Sequence, residues 1–229
     1  MIPVDKTLAG RVADVHHLLP DSGLTIIGEH FLAINHALLG IKGAKIDDLE
    51  FVHSHIHAIP QCKNSIKEMG VKANIHADTA GAAAEVAEKN DKKHGAIASC
   101  LAAQIYGLDI LKENLQDAAH NTTRFLILSN ENTDIPYEEN KNFITSIVFK
   151  TRNIPAALYK ALGGFATNGI SLAKLESYVS EGFKVAQFYC EVEGYLGSHA
   201  LKLAIEELEF FADEVKLIGC YKAHEFRDK

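Results

Sequence analysis

Apolar positions along this chain follow two periods that take turns. Residues 24–32 (LTIIGEHFL) read as a strand, and residues 51–57 alternate, with Phe51 on one face and Val52, Ser54 and Ile56 on the other. Residues 59–69 carry helical spacing, with Gly70 as the stop. Residues 71–76 are strand-like. Asp78-Thr79 then precede an alanine-rich run to Lys89, and an acidic or hydroxyl residue at that place supplies an acceptor for the orphan N–H groups of a helix start. Residues 95–98 predict a short strand, 99–106 a helix ended by Gly107, and 125–128 a further strand. This succession predicts βαβ units and a mainly parallel sheet.

The stretch 129–142 (SNENTDIPYEENKN) is polar and acidic and contains Pro136, so it reads as a loop between two β-rich regions. Beyond it the spacing predicts a strand over 144–149 and a helix over 155–168 with Pro155 in its first turn. Strands over 170–178 and 184–192 form a hairpin across Ser180-Glu181-Gly182. A helix over 198–211 buries Leu201, Ile205 and Leu208, a last strand covers 215–221, and the end, HEFRDK, reads as a frayed tail. The order βαββαβ is the ferredoxin-like arrangement.

Composition narrows the function classes. The 229 residues suit one or two domains, and 47% hydrophobic with 23% charged residues is ordinary for a globular chain. A net charge of −7 with scattered Lys and Arg argues against a nucleic-acid or membrane-surface patch. No apolar run reaches the length of a bilayer span, and the opening MIPVDKTLAGRV lacks the layout of a secretory signal. Cys62, Cys100, Cys190 and Cys220 lie far apart without paired spacing, which predicts reduced thiols and a cytoplasmic location. His53, His55 and His57 would share one face of a strand, and three imidazoles so placed can bind zinc. No adjacent carboxylate or cysteine completes the set, so no metal is expected.

The chemistry is carried by motifs in fixed order. Asn121-Thr122-Thr123-Arg124-Phe125 is followed by Asn153-Ile154-Pro155-Ala156-Ala157-Leu158 and then by Leu175-Glu176-Ser177. Upstream stand Ile2-Pro3-Val4 with Gly10-Arg11-Val12, Ser54-His55 with Gln61-Cys62, Asp78-Thr79-Ala80-Gly81-Ala82-Ala83, and Ala96-Ile97-Ala98-Ser99 before Tyr106-Gly107-Leu108. Each is weak alone; together, from Ile2 to about Tyr221, they resemble the prephenate dehydratase family. In that family a catalytic domain ending in Thr-Arg-Phe precedes an ACT regulatory domain.

The resemblance implies an α/β fold: a two-lobed, periplasmic-binding-protein-like dehydratase domain over 1–130, a linker over 131–142, and a ferredoxin-like βαββαβ ACT domain over 143–223. It also implies that the first lobe is incomplete, because the family's Gly-Pro-x-Gly start has no counterpart here. The implied reaction converts prephenate to phenylpyruvate with loss of water and carbon dioxide, in phenylalanine biosynthesis, and needs no cofactor because aromatisation drives it. Such an enzyme must assist departure of the ring hydroxyl and hold two carboxylates.

By the same resemblance Thr123 assists the leaving hydroxyl. Ser54, Gln61, Thr79 and Asn121 contact substrate, and Arg124 either binds a carboxylate or stabilises its own turn. Feedback phenylalanine would lie against Asn153, Pro155, Ala156, Ala157, Leu158, Glu176 and Ser177, in a homodimer or homotetramer.

The sequence departs from the family pattern at Asp5-Lys6-Thr7 (for Glu-Asn-Ser), Ile56-His57 (for Pro-Gln), Ala156 (for Gly) and Tyr178-Val179 (for Arg-Pro). These departures sustain a second reading, a catalytically inactive truncated homologue that binds an amino acid through its ACT domain.

Overall fold

The computed structural model describes residues 1–7, 10–118, 121–131, 135–179 and 186–228. The chain opens with β1 (Ile2–Lys6), β2 (Gly10–Arg11), α1 (Ala13–Leu18), β3 (Thr25–Ala33), β4 (Ala37–Gly40) and β5 (Phe51–His55). Next come α2 (Lys63–Met69), β6 (Lys72–His76), α3 (Thr79–Lys89), β7 (His94–Ala98), α4 (Cys100–Tyr106) and β8 (Asp109–Lys112). After β9 (Thr122–Ser129) and β10 (Phe143–Thr151) follow α5 (Ala157–Thr167), β11 (Leu172–Val179), β12 (Ala186–Glu193), α6 (His199–Phe211) and β13 (Ala212–Lys222).

Local chemistry sets the helix ends. The carboxylate of Asp78 accepts from the Gly81 N–H at 2.6 Å, and the hydroxyls of Ser99 and Ser198 accept from Ala102 and Leu201 at 3.3 Å. Gly70 and Gly107 close α2 and α4 in the left-handed region.

Two compact units divide the chain. One comprises Met1–Asp5, Arg11–Phe31 and Arg124–Lys229; the other comprises Lys6–Gly10 and Leu32–Thr123. This division differs from the expected boundary at 130/143, because the first and ninth strands pack with the C-terminal module.

In the second unit the sheet order is β6-β5-β7-β4-β8. β5 pairs in parallel with β6 and β7, whereas β4 pairs antiparallel with β7 and β8. The expected mainly parallel sheet is therefore a mixed one. Both faces are apolar: Leu39, Ala96 and Ala98 pack on the alanines of α3 and α4, while Leu38, Val52 and Ile97 pack on Cys62, Ile66 and Leu115. Small side chains let α3 lie close to the sheet.

In the first unit the last four strands form an antiparallel sheet of order β11-β12-β10-β13. Ile147 and Phe149 of β10 face α5 and α6, meeting Phe165, Leu201 and Leu208. Ile144 and Val148 face the other way, into a core with Val4, Ile26, Leu126, Tyr189 and Tyr221. The central strand is thus buried on both faces, and its polar residues Thr145, Ser146 and Thr151 are buried with it. Gly219 sits at a bulge of β13 where an added Cβ would meet the Ile26 carbonyl oxygen at 2.2 Å, so no larger residue fits.

Two local expectations are corrected. The end of the chain is not a frayed tail: Glu225–Asp228 forms a 3-10 turn, and Arg227 pairs with Glu29 and Glu191. Buried carboxylates need a partner, and this arginine supplies one. Pro155 is not in the first helical turn either. Ile154-Pro155-Ala156-Ala157 is a β-turn, closed by the Ala157 N–H on the Ile154 carbonyl at 3.2 Å, and α5 begins only at Ala157. The third position of that turn is Ala156 with φ +59°, where glycine is the natural occupant. Ala156→Gly is therefore expected to raise stability by about 1 kcal/mol, because the left-handed cost of an L-residue exceeds the added chain entropy. Urea denaturation of the two proteins measures it, and an unchanged or lower midpoint contradicts it. The hairpin turn expected at Ser180-Glu181-Gly182 lies outside the described residues.

Candidate active site

The second unit gathers the hydrogen-bonding side chains. Gln61 follows β5 in the 3-10 turn Ile59–Cys62, and Asn121 immediately precedes β9. The Asn121 side-chain amide donates to Gln61 Oε1 at 2.8 Å. The same oxygen lies 2.8 Å from Nε2 of His36, a buried residue just before β4. The segment after β8 stitches these places together. Gln116 Oε1 accepts the His36 N–H at 2.9 Å, Leu115 donates to the His36 carbonyl at 2.8 Å, and Asp117 donates to the Gln61 carbonyl at 2.7 Å.

Thr123 stands two positions beyond Asn121, the spacing that turns side chains to one face of an extended chain. The residue is 4% exposed, and among the described residues its hydroxyl makes no hydrogen bond. Its neighbour Thr122 is held by Thr7, through paired bonds of 2.9 and 3.0 Å.

Ser54 and Thr79 are placed differently. Ser54 is fully buried in β5 and donates to the Ile97 carbonyl at 2.6 Å, across to β7. Thr79 is the first residue of α3, after its Asp78 cap. Neither bonds to the Gln61–Asn121 pair. The thiol of Cys62, beside Gln61, is pushed up to about 12 by burial, with Asp117 adding to the effect, so it stays protonated.

Arg124 belongs to the first unit and is enclosed there. Its Nε donates to Glu29 at 2.7 Å, Nη1 to Asp5 at 3.2 Å, and Nη2 to Glu191 at 2.9 Å and Tyr221 Oη at 3.0 Å. Arg227 donates to Glu29 and Glu191, and Lys174 pairs with Asp5. Three carboxylates thus meet three cations. Burial pushes the Glu191 carboxyl up, but Arg124 and Arg227 outweigh it and hold the group below its usual range.

His53, His55 and His57 do not form the single-faced trio. β5 ends at His55, so His57 lies in the following turn. His53 Nε2 lies 2.8 Å from His94 Nδ1. Burial, then nearby Lys89, lowers the His53 pKa. Among the described residues no group of three or more His, Cys, Asp or Glu side chains is arranged to hold a metal.

The regulatory candidates fall on two faces. Leu158 packs on the helical side of the C-terminal sheet. Ser177 stands opposite Phe188 on that side, while Glu176 stands opposite Tyr189 on the other, 3.9 Å from Lys174. Asn153, Pro155 and Ala156 are exposed in the turn before α5, and Ala157 is partly buried.

Residues 1–133 match the family model described as prephenate dehydratase. The chain belongs to the prephenate dehydratase family. It is 45% identical over 230 residues to a bifunctional N-acyl-homoserine lactone acylase/prephenate dehydratase of Komagataeibacter europaeus, covering 100% of this chain and 82% of that protein. It is 38% identical to arogenate dehydratase/prephenate dehydratase 1 of Arabidopsis thaliana, a chloroplastic protein, covering 96% of this chain and 60% of the relative. Among solved structures it resembles a protein described as GqqA, a quorum quenching acylase, with TM-score 0.90 and 44% identity over 99% of this chain and 82% of that one. The prephenate dehydratase of Staphylococcus aureus superposes with TM-score 0.79 at 25% identity, covering 96% of this chain and 81% of that one.

As a prephenate dehydratase family member, the chain carries its Thr-Arg-Phe motif as two differently employed residues. Among the described residues the Thr123 hydroxyl has no hydrogen-bond partner, while Arg124 is saturated. Sequence reasoning missed His36. The available signal was a histidine set against the apolar run Ala37–Gly40, a polar group that must be partnered if buried. No helix among the described residues is long and apolar enough to cross a membrane, and the described cysteines are all free.

Proposed function

We propose that this chain converts prephenate to phenylpyruvate, as a cytoplasmic lyase of phenylalanine biosynthesis regulated by phenylalanine. The observation that carries the reading is the hydrogen bond between Gln61 and Asn121, the latter two positions along the chain from Thr123, whose hydroxyl has no hydrogen-bond partner among the described residues. Prephenate dianion takes up one proton and releases water and carbon dioxide. The carboxylate leaves as CO2, its bonding electrons flow into the ring, and the ring hydroxyl departs as water. Thr123 donates a hydrogen bond to that hydroxyl as it gains negative charge. Gln61 and Asn121 orient the substrate, with Ser54 and Thr79 at the margin. Arg124 acts as a structural residue, since each of its guanidinium nitrogens is already engaged. The inactive reading is not favoured.

The remaining finer points belong to the same proposal. The dehydratase region is two-lobed in the manner of periplasmic binding proteins. The antiparallel module over 143–223 is a ferredoxin-like ACT domain, supported by its strand order. Phenylalanine binds near Asn153, Pro155, Ala156, Ala157 and Leu158, with Glu176 and Ser177 contributing across a homodimer or homotetramer. An assembly accommodates the opposite facing of Glu176 and Ser177, because a second copy can supply one of them.

The test is turnover. The purified chain incubated with prephenate is expected to form phenylpyruvate, and added phenylalanine to slow it, with binding measured by calorimetry. A folded chain with no turnover overturns the enzyme reading. Turnover indifferent to phenylalanine, with no binding heat, overturns the regulatory one.

A further inference from the structure

We infer that His36 is a positioning residue for substrate binding, acting through Gln61 and resting on the dehydratase reading above. Gln61 Oε1 takes the Asn121 amide hydrogen and lies equally close to His36 Nε2. An oxygen accepts and does not donate, so His36 carries its hydrogen on Nε2. Two donors on one oxygen fix which way the Gln61 amide points. Its NH2 edge is then left without a hydrogen bond among the described residues, and so is Oδ1 of Asn121. The result is one donor edge and one acceptor left open on the Gln61–Asn121 pair, in the unit that also contains Thr123.

A substrate with two carboxylates and a hydroxyl needs donors in a fixed sense. Were His36 to carry its hydrogen on Nδ1 instead, Nε2 would become an acceptor. The Gln61 amide would turn over, and its NH2 would be spent on His36 and Asn121. An acceptor edge would then face the carboxylates. The tautomer of one histidine therefore sets the polarity of the binding edge. His36 can do this because its backbone is held at both ends, by Gln116 and Leu115.

The experiment has two arms. Nitrogen-15 spectra of histidine in the intact chain report the tautomer directly, and His36 is expected as Nε2–H with a bare Nδ1. A dominant Nδ1–H form overturns the inference, whether or not prephenate turns over, so a failure of the dehydratase reading remains distinguishable. In the kinetic arm, His36→Leu is expected to raise KM for prephenate roughly tenfold, the factor one lost hydrogen bond commonly represents, with kcat changed less. His36→Gln, which returns an N–H near the same place, is expected to recover most of that loss. A merely structural role would lower the folded fraction, and hence apparent kcat, with KM unchanged in both variants, and that pattern overturns the proposal.

Discussion

Replacing Thr123 by valine is expected to lower kcat for prephenate by about 100- to 10,000-fold, while thermal stability moves little. The two effects separate because of where the hydroxyl points. Thr123 is buried, but its hydroxyl has no hydrogen-bond partner among the described residues, so valine leaves no polar group stranded. The branched shape is kept, so packing around β9 changes by about one atom. What is removed, on the proposed mechanism, is the donor to the departing hydroxyl, an interaction made only as the bond breaks. Such a loss appears in kcat rather than in KM. Steady-state kinetics with a melting curve of the same preparation measure it. A variant that turns over like the parent removes Thr123 from the chemistry, and one that unfolds in step with its lost activity makes the residue structural.

Arg124→Met should cost about 3–5 kcal/mol of stability at neutral pH, the usual penalty for removing one partner of a buried ionic network. The side chains of Glu29 and Glu191 are 0% and 1% exposed, and without Arg124 they would share Arg227 alone. Methionine fills the space but answers neither carboxylate. The pH dependence follows from the lowered pKa of Glu191. A carboxylate whose folded pKa is depressed adds stability that is fully present above its unfolded value, about 4.3, and is lost as pH falls through the folded value. The gap between parent and variant is therefore expected to be widest near neutrality and to narrow in acid. Urea denaturation at pH 7 and in acid decides it. A neutral-pH difference below about 1 kcal/mol would falsify the view that this network holds the first unit together.

Much of the local structure was legible in the amino acids themselves. Asp78, Ser99 and Ser198 cap their helices, and Gly70 and Gly107 stop theirs, because capping joins groups two or three residues apart. The β-branched and aromatic run over 144–149 and the spacing of Leu201, Ile205 and Leu208 indicated a strand and a helix for the same reason. The order of the motifs was enough to name the family, and Thr123 stood out within it.

Tertiary structure alone decided which polar groups meet. Gln61 reaches Asn121 across 60 positions and His36 across 25, while Arg124 reaches Glu29 across 95. No periodicity spans such separations, so the sequence left Arg124 open between two roles and treated Arg227 as part of a loose end. The burial of β10 on both faces and the opposite facing of Glu176 and Ser177 were settled in the same way, by which strand lies next to which. Backbone preferences and caps act over a few residues and can be read along the chain. The pairing of buried charges and amides is chosen by desolvation, which acts only once distant segments have come together.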